Sequence, residues 1–335
     1  MKKWMTGLAL VSVSVASASS WANSPEELTV YTAFETDLLS TFEEAFEKEH
    51  PNITINWVRD STGVITARIL AEGKGTPADV VWGLAASSQV LLKNQGIIKA
   101  YTPEGVSELK SGMVDPESDK AWYGHDAFFN AICFNSVEAE KLALPKPEKW
   151  EDLLNPVYKG HIVMPNPASS GTGYTQVAAW LQTMGEENGW SYMEALDKNI
   201  AKYTHSGSKP CVEAAQGETV IGISFALRGA KLKTQGAPID LVMPQGVGWD
   251  LEAVGLVNIK SDAAKALADW SVSEEANELY NTVYPVVAHK DVKGEVKNYP
   301  DVEAVMADVD FGRMANERDA VLKEWSAKFE FKSEQ

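Results

Sequence analysis

The fold class is decided by residues 28–82, which read LTVYTAFETDLLSTFEEAFEKEHPNITINWVRDSTGVITARILAEGKGTPADVVW. The apolar runs of this stretch have the composition of buried strands and comprise 28–32, 53–58 and 78–82. Apolar residues recur at helical spacing over 36–49, and a second helix is predicted over 64–72. Strand, helix, strand, helix and strand in this length predict a parallel α/β sheet.

Downstream of this stretch the same alternation continues. Further strands are predicted over 131–135, 160–164, 220–224, 239–243 and 253–258. Helices are predicted over 150–154, 173–184, 190–199, 211–216, 263–271, 273–283 and 316–328. Because a chain of 335 residues exceeds one ordinary domain, we expect two lobes. The last predicted strand, 253–258, is expected to return the chain to the first lobe.

Clusters of Ser, Thr and Gly stand where predicted loops lead into helices. They are Ser61-Thr62-Gly63, the run Ser169-Ser170-Gly171-Thr172-Gly173, and Ser206-Gly207-Ser208. The first turn of a helix presents unpaired N–H groups and the positive end of the helix dipole, and hydroxyls add donors. We therefore expect the clusters to meet in one cleft and bind an anion without a metal or a basic side chain. Plain helix capping or flexible loops are the alternatives for each cluster.

A second group of residues suits the cationic end of a zwitterionic ligand. The carboxylates of Glu35, Asp250 and Glu252 could hold an ammonium group by ion pairing, with the Trp249 indole beside it. Aromatic walls are predicted from Phe34, Trp82, Phe225, Trp249 and Tyr284. The alternatives are solvated surface acids and aromatic side chains packed in the core. The sequence does not choose among the three carboxylates.

Composition excludes several classes of function. A formal net charge of −17 argues against nucleic acid and anionic membranes as partners. The five histidines show no metal-ligand spacing, so we predict neither a metal nor a cofactor. The 169–173 run is neither a P-loop nor a nucleophile elbow. Cys133 and Cys211 form either a disulfide or two buried thiols, and we expect a monomer.

Residues 1–22 have the features of a secretory signal peptide. Lys2 and Lys3 supply the charged region, residues 8–15 are apolar, and Ser20-Trp21-Ala22 resembles an A-x-A cleavage site. The apolar run is shorter than the roughly 20 residues of a membrane span. We expect a mature chain from Asn23 that is located in the periplasm.

The chain resembles the solute-binding proteins of ABC importers, in the branch that contains the ferric-iron-binding proteins. The resemblance covers the mature chain and depends on 28–31, 78–82, 169–173 and the return strand. The runs 57–67, 79–85 and 248–253 are most similar to the subgroup that binds 2-aminoethylphosphonate.

The resemblance implies a type II periplasmic binding fold, in which each lobe has a central, mostly parallel sheet and the ligand cleft lies between the lobes. It implies a first lobe of 23–129 plus 253–300 and a second lobe of 130–252 plus 301–335. The implied function is capture of 2-aminoethylphosphonate and its delivery to an ABC permease in the inner membrane. The phosphonate would bind Ser61, Thr62, Ser206 and the 169–173 run.

One departure from the family argues against iron. Ferric binders of this branch have two adjacent tyrosines after a strand of the second lobe, where this chain reads Ile223-Ser-Phe-Ala-Leu-Arg228. Without phenolates, Fe³⁺ loses its hard anionic ligands. The alternatives left open are phosphate, a phosphate ester, a polyamine and ferric ion. The chain is not expected to be an enzyme. A secreted serine hydrolase is the alternative from another class of function.

Overall fold

The structure is a computed structural model that describes residues 25–334, so the predicted signal peptide lies outside the described residues. The strands are β1 (Glu26–Thr32), β2 (Ile53–Arg59), β3 (Val80–Ala85), β4 (Trp122–Asn135), β5 (Ile162–Pro165), β6 (Ile200–Thr204), β7 (Ile221–Phe225), β8 (Ile239–Val242) and β9 (Trp249–Leu256).

The helices lie between these strands or follow the last of them. They are α1 (Thr36–Glu49), α2 (Thr62–Glu72), α3 (Ala86–Asn94), α4 (Ser136–Leu142), α5 (Gly171–Met184), α6 (Glu186–Asp197), α7 (Lys209–Gln216), α8 (Ala226–Thr234), α9 (Asp262–Ser271), α10 (Glu274–Asn281) and α11 (Phe311–Phe329). Within residues 25–334, no helix is long and apolar enough to cross a membrane.

The first sheet has the strand order β2-β1-β3-β9-β4. β1 pairs in parallel with β2 along its whole length and with β3 at Val30 and Tyr31. This parallel core, with α1 and α2 as its crossovers, confirms the α/β class predicted from residues 28–82. β9 joins β3 and β4 in antiparallel pairing, so the sheet is mixed at this side.

Strand β4 belongs to both sheets. Its residues 122–129 pair with β9, and its residues 130–135 pair with β7 and β8. β5 then joins β7 and β6 in parallel, which completes the second sheet. The strand predicted over 131–135 is therefore only the end of a fully buried strand of 14 residues, and the two lobes meet along it.

Strand β9 begins at Trp249, four residues before the predicted start of the return strand. Residues 249–252, which precede the predicted return strand, lie in β9 opposite residues 126–129 of β4. Asp250 and Glu252 are both buried, so the alternative of solvated surface acids does not describe them, and a buried acid looks like a solvated one in sequence.

The cysteines are joined by a disulfide, Cys133–Cys211, which ties β4 to α7 with the Cα atoms 5.3 Å apart. Both sulfurs lie in a small buried cluster with Ala214 and Ile239. Of the two alternatives that the sequence left open, a disulfide or two buried thiols, the structure shows the disulfide.

Candidate ligand-binding cleft

The N-termini of α2 and α5 touch each other across the gap between the lobes. The Gly63 N–H donates to the Ser169 carbonyl across 2.9 Å. A Cβ on Gly171 would lie 2.6 Å from Thr62 Oγ1, a distance that no side chain tolerates. Glycine is required here because the two helix ends approach so closely.

The loop 206–208 completes the same surface. A Cβ on Gly207 would lie 2.4 Å from Thr172 Oγ1 and 2.8 Å from Ser170 Oγ. The Gly207 carbonyl accepts hydrogen bonds from the Phe225 N–H at 3.1 Å and the Ser224 hydroxyl at 2.6 Å, which fix the loop to β7. The structure therefore brings all three Ser/Thr/Gly clusters together.

These helix ends present hydrogen-bond donors to the cleft. The N–H groups of Thr62, Gly171 and Thr172 have no acceptor among residues 25–334. Ser170 Oγ accepts the Gly173 N–H at 3.2 Å as the α5 N-cap, which leaves the hydroxyl proton free to donate. Unpaired N–H groups, hydroxyls and two helix dipoles together favour a small anion.

The cleft between the lobes is small. Its space free of protein atoms is about 400 Å³, open mouth included. It is lined by Ala33, Glu35, Arg59, Ser61, Thr62, Phe128, Ser170, Gly171, Thr172, Ser206, Gly207, Ser208, Phe225 and Glu252. A cleft this small suits a ligand of few atoms.

Nine of the residues predicted from the sequence line this cleft: Glu35, Ser61, Thr62, Ser170, Gly171, Thr172, Ser206, Phe225 and Glu252. Two members of the 169–173 run face elsewhere. The Ser169 hydroxyl donates to the His205 carbonyl at 2.8 Å. Gly173 packs on the backbone of residues 165–166, where a Cβ would lie 2.7 Å from the Pro165 carbonyl oxygen.

Three predicted aromatic walls belong to the core of the first lobe instead. Phe34 and Trp82 pack edge to face with ring centroids 5.4 Å apart, and both are fully buried. Tyr284 is also fully buried and does not line the cleft. These three residues are therefore core residues and not walls of the cleft. Core packing was the alternative for them.

Trp249 and Asp250 likewise point away from the cleft. The Trp249 indole N–H donates to the Ala307 carbonyl at 2.8 Å. Asp250 accepts the Ser87 N–H at 3.3 Å, in the first turn of α3, and burial raises the pKa of Asp250 to about 7. Asp250 therefore stabilises a helix end, and of the three predicted carboxylates only Glu35 and Glu252 line the cleft.

Arg59 and Phe128 also line the cleft, although neither was predicted from the sequence. Arg59 Nε donates to the Phe34 carbonyl at 2.9 Å, which holds the guanidinium at the cleft. The cleft therefore contains a basic side chain, although the anion site was expected to need none. Arg59 ends β2 two residues before Ser61, and a charged residue at that position was the available signal. Phe128 packs edge to face with Phe225, with centroids 6.1 Å apart, and the two rings form the apolar wall.

Glu35 is bound by residues of the second lobe. Its carboxylate accepts the Ser208 hydroxyl and forms an ion pair with Arg228. Asp37, in the first turn of α1, accepts from Arg228 at 3.1 Å and from Lys231 at 2.8 Å. These bonds cross the cleft, so the structure shows the lobes closed.

Glu252 is the free acid of the cleft. Burial and the neighbouring Asp126 carboxyl raise the pKa of Glu252. Glu252 Oε2 is buried and has no hydrogen-bond partner among residues 25–334. Glu252 is therefore available for a donor group of a ligand.

The geometry gives no support to the metal or hydrolase alternatives. Across residues 25–334 there is no group of three or more His, Cys, Asp or Glu side chains placed to hold a metal. Phe225, in the stretch 223–228 that contains no tyrosine, lines the cleft with a side chain that cannot ligate a metal. In the same described part, no serine hydroxyl is hydrogen-bonded to a histidine ring.

Two proteins with similar sequences cover most of this chain. An uncharacterized protein of Haemophilus influenzae is 31% identical over 279 residues, which cover 81% of this chain and 80% of that protein. A Salmonella typhimurium periplasmic protein named for 2-aminoethylphosphonate binding is 24% identical over 300 residues, 81% of each chain.

Among solved structures, the periplasmic binding protein AfuA of Actinobacillus pleuropneumoniae, with fructose-6-phosphate bound, superposes with a TM-score of 0.84. It is 27% identical and the match covers 91% of this chain and 99% of AfuA. The family model described as "Bacterial extracellular solute-binding protein" matches residues 76–307. The chain therefore belongs to the bacterial extracellular solute-binding protein family.

Proposed function

We propose that this protein captures 2-aminoethylphosphonate in the periplasm and delivers it to an ABC permease. The observation that carries the proposal is the meeting of the α2 and α5 N-termini in a small cleft that also contains Glu252. The names of the similar proteins add support, since fructose-6-phosphate and 2-aminoethylphosphonate share a phosphorus bonded to several anionic oxygens.

The phosphonate binds at the two helix ends. Its oxygens accept from the free N–H groups of Thr62, Gly171 and Thr172 and from the hydroxyls around them. The Arg59 guanidinium adds a charge-assisted donor. Each hydrogen bond to a charged oxygen contributes on the order of 1.5–3 kcal/mol, which after the cost of ordering allows micromolar binding or tighter.

The ammonium group lies against Glu252, and the two-carbon link packs between Phe128 and Phe225. Glu35 is less suitable as the ammonium partner because Arg228 and Ser208 already bind its carboxylate. Donors from α2 and α5 belong to different lobes, so the ligand contacts all of them only when the cleft is closed.

The test is calorimetric titration of 2-aminoethylphosphonate into Ser170→Ala and Thr172→Ala. Both variants remove a hydroxyl that lines the cleft, and we expect at least tenfold weaker binding with an unchanged circular dichroism spectrum. Ser169→Ala is the matched control, since its hydroxyl bonds to the His205 carbonyl outside the cleft. Full-strength binding by both cleft variants would refute the proposed phosphonate site.

A sugar phosphate is the second candidate, favoured by the fructose-6-phosphate bound to AfuA. Hydroxyl groups of a sugar could donate to Glu252 as an ammonium does. Competition between the two compounds separates the candidates, and we expect 2-aminoethylphosphonate to displace fructose-6-phosphate. Native mass spectrometry of the freshly purified protein would identify any ligand that copurifies.

A further inference from the structure

Two carboxyl side chains face each other beneath the cleft. Asp126 of β4 and Glu252 of β9 are paired in register on neighbouring strands. Glu252 lines the cleft and is 7% exposed, whereas Asp126 lies behind it and is fully buried. The ligand therefore meets Glu252 and does not reach Asp126.

Neither carboxyl has its negative charge balanced. Glu252 Oε2 and Asp126 Oδ1 are buried without a hydrogen-bond partner among the described residues. Asp126 Oδ2 contacts His125 Nδ1 at 2.8 Å, and within residues 25–334 neither acid forms an ion pair with lysine or arginine. Two adjacent buried carboxylates repel each other and are poorly solvated, so the pair retains a proton at neutral pH.

The surrounding groups do not supply the missing positive charge. Several titratable or charged groups face the pair or share its strands or the cleft. They are Tyr123 and His125 on β4, Asp250 on β9, Glu35 after β1, Arg59 at the end of β2, Tyr280 on α10, and Tyr284 and Tyr299 in the following loops.

These neighbours are neutral, negative or occupied elsewhere. Burial lowers the pKa of His125 to about 3, so its ring is neutral. Burial raises the pKa of Tyr280 and Tyr284 well above the ordinary value, so both stay protonated. Arg59 is held by the Phe34 carbonyl.

We propose that ligand binding is linked to proton release, because an ammonium group that docks on Glu252 displaces the proton that Glu252 shares with Asp126. This inference rests on the proposed function. The proton passes to the solvent, and the carboxylate left behind pairs with the ammonium. Asp126 is a positioning residue, since it acts on the ligand only through the charge of Glu252.

The sign of the pH dependence follows from this exchange. In the free protein the pair is protonated up to a raised pKa, and the ammonium lowers that pKa in the complex. Protons are released on binding between these two pKa values, so affinity increases with pH there. Each proton released adds a factor of about ten in affinity per pH unit.

The experiment is calorimetric titration of 2-aminoethylphosphonate at pH 7 in two buffers of different ionisation enthalpy, for the wild type and Asp126→Asn. The dependence of the observed enthalpy on the buffer gives the number of protons released. We expect the wild type to release more protons than Asp126→Asn, by up to about one. Protons that leave the ligand itself are common to both proteins and cancel in the difference.

Controls keep the outcomes distinct. Asp126 does not line the cleft, so Asp126→Asn should keep a wild-type circular dichroism spectrum and should still bind 2-aminoethylphosphonate. If Asp126→Asn fails to fold, Asp126→Ala replaces it in the same comparison, since it also removes the second carboxyl and leaves Glu252 in place. Equal proton counts in wild type and variant would overturn the inference and leave the proposed function standing. Absence of 2-aminoethylphosphonate binding by the wild type would overturn both.

Discussion

Arg59 illustrates how one side chain changes the chemistry expected of the cleft. Its Nε is committed to the Phe34 carbonyl at 2.9 Å, so the guanidinium has a fixed direction and its remaining N–H groups can meet an oxyanion. A lysine has no planar fork and could not make both contacts with the same geometry.

We therefore predict that Arg59→Lys weakens binding of 2-aminoethylphosphonate about tenfold, which corresponds to ~1.4 kcal/mol. Titration calorimetry measures the effect. Arg68→Ala is the matched control, because Arg68 is an exposed arginine on α2 whose partner is Glu72 and which does not line the cleft. Equal losses in both variants would show that the effect is not specific to the cleft position of Arg59.

A second prediction at the scale of single residues concerns Gly171. A Cβ there would lie 2.6 Å from Thr62 Oγ1 of the other lobe, so Gly171→Ala should prevent full closure around the ligand. We expect at least tenfold weaker binding and a larger radius of gyration at saturating ligand in small-angle X-ray scattering. Gly112→Ala serves as the control because nothing lies within 4 Å of its Cβ position.

At the scale of single residues, the sequence predicts the hydrogen-bond donors of the cleft better than its aromatic walls or its carboxylates. The Ser/Thr/Gly clusters were identifiable because helix ends need such residues, and local spacing reveals helix ends. Trp82 and Phe225 look alike in sequence, yet one is in the core and the other lines the cleft. That choice depends on which strand lies beside them, which is set by contacts far away in the chain.

At the scale of elements, β4 shows where sequence interpretation fails. The strand is buried along all 14 residues, so it has no alternating pattern that marks its beginning or the passage from one sheet to the other. The parallel units before it were predictable because each strand is short and is followed by an amphipathic helix. The boundaries of the lobes therefore depend on strand pairing and not on local pattern.

The disulfide anchors α7, which follows the cleft loop 206–208, to β4. Its ends are 78 residues apart, and closing a loop of that length removes chain entropy equivalent to about 4.5 kcal/mol in the simplest model. We predict that Cys133→Ala/Cys211→Ala lowers the free energy of unfolding by about 2–5 kcal/mol, measured by urea denaturation.

The control for this prediction uses the native protein. Both cysteines are fully buried, so dithiothreitol should leave the native protein oxidised and should lower the unfolding midpoint only when it is present during denaturation. Loss of stability in the double alanine variant without a matching effect of dithiothreitol would point to a packing defect at Gly229, which lies against both sulfurs.

For the whole molecule, closure is a balance between contacts that the protein makes by itself and contacts that need the ligand. Asp37 of the first lobe pairs with Arg228 and Lys231 of the second without any ligand. Such partly exposed ion pairs contribute about 0–1 kcal/mol each and are weakened by salt. They favour closure modestly, and in the proposed complex the phosphonate contacts at α2 and α5 supply the larger share.

If closure depends on both the ion pairs and the ligand contacts, removing the ion pairs should weaken ligand binding. Asp37→Asn should weaken binding of 2-aminoethylphosphonate two- to fivefold, because more of the closing energy must then come from the ligand. The wild type should show the same loss in 0.5 M salt, and the variant should be less sensitive to salt. Lys265→Ala is the control, since Lys265 pairs with Asp262 within α9 and no lobe contact is broken. Unchanged affinity in Asp37→Asn together with unchanged compactness in X-ray scattering would show that these pairs do not influence closure.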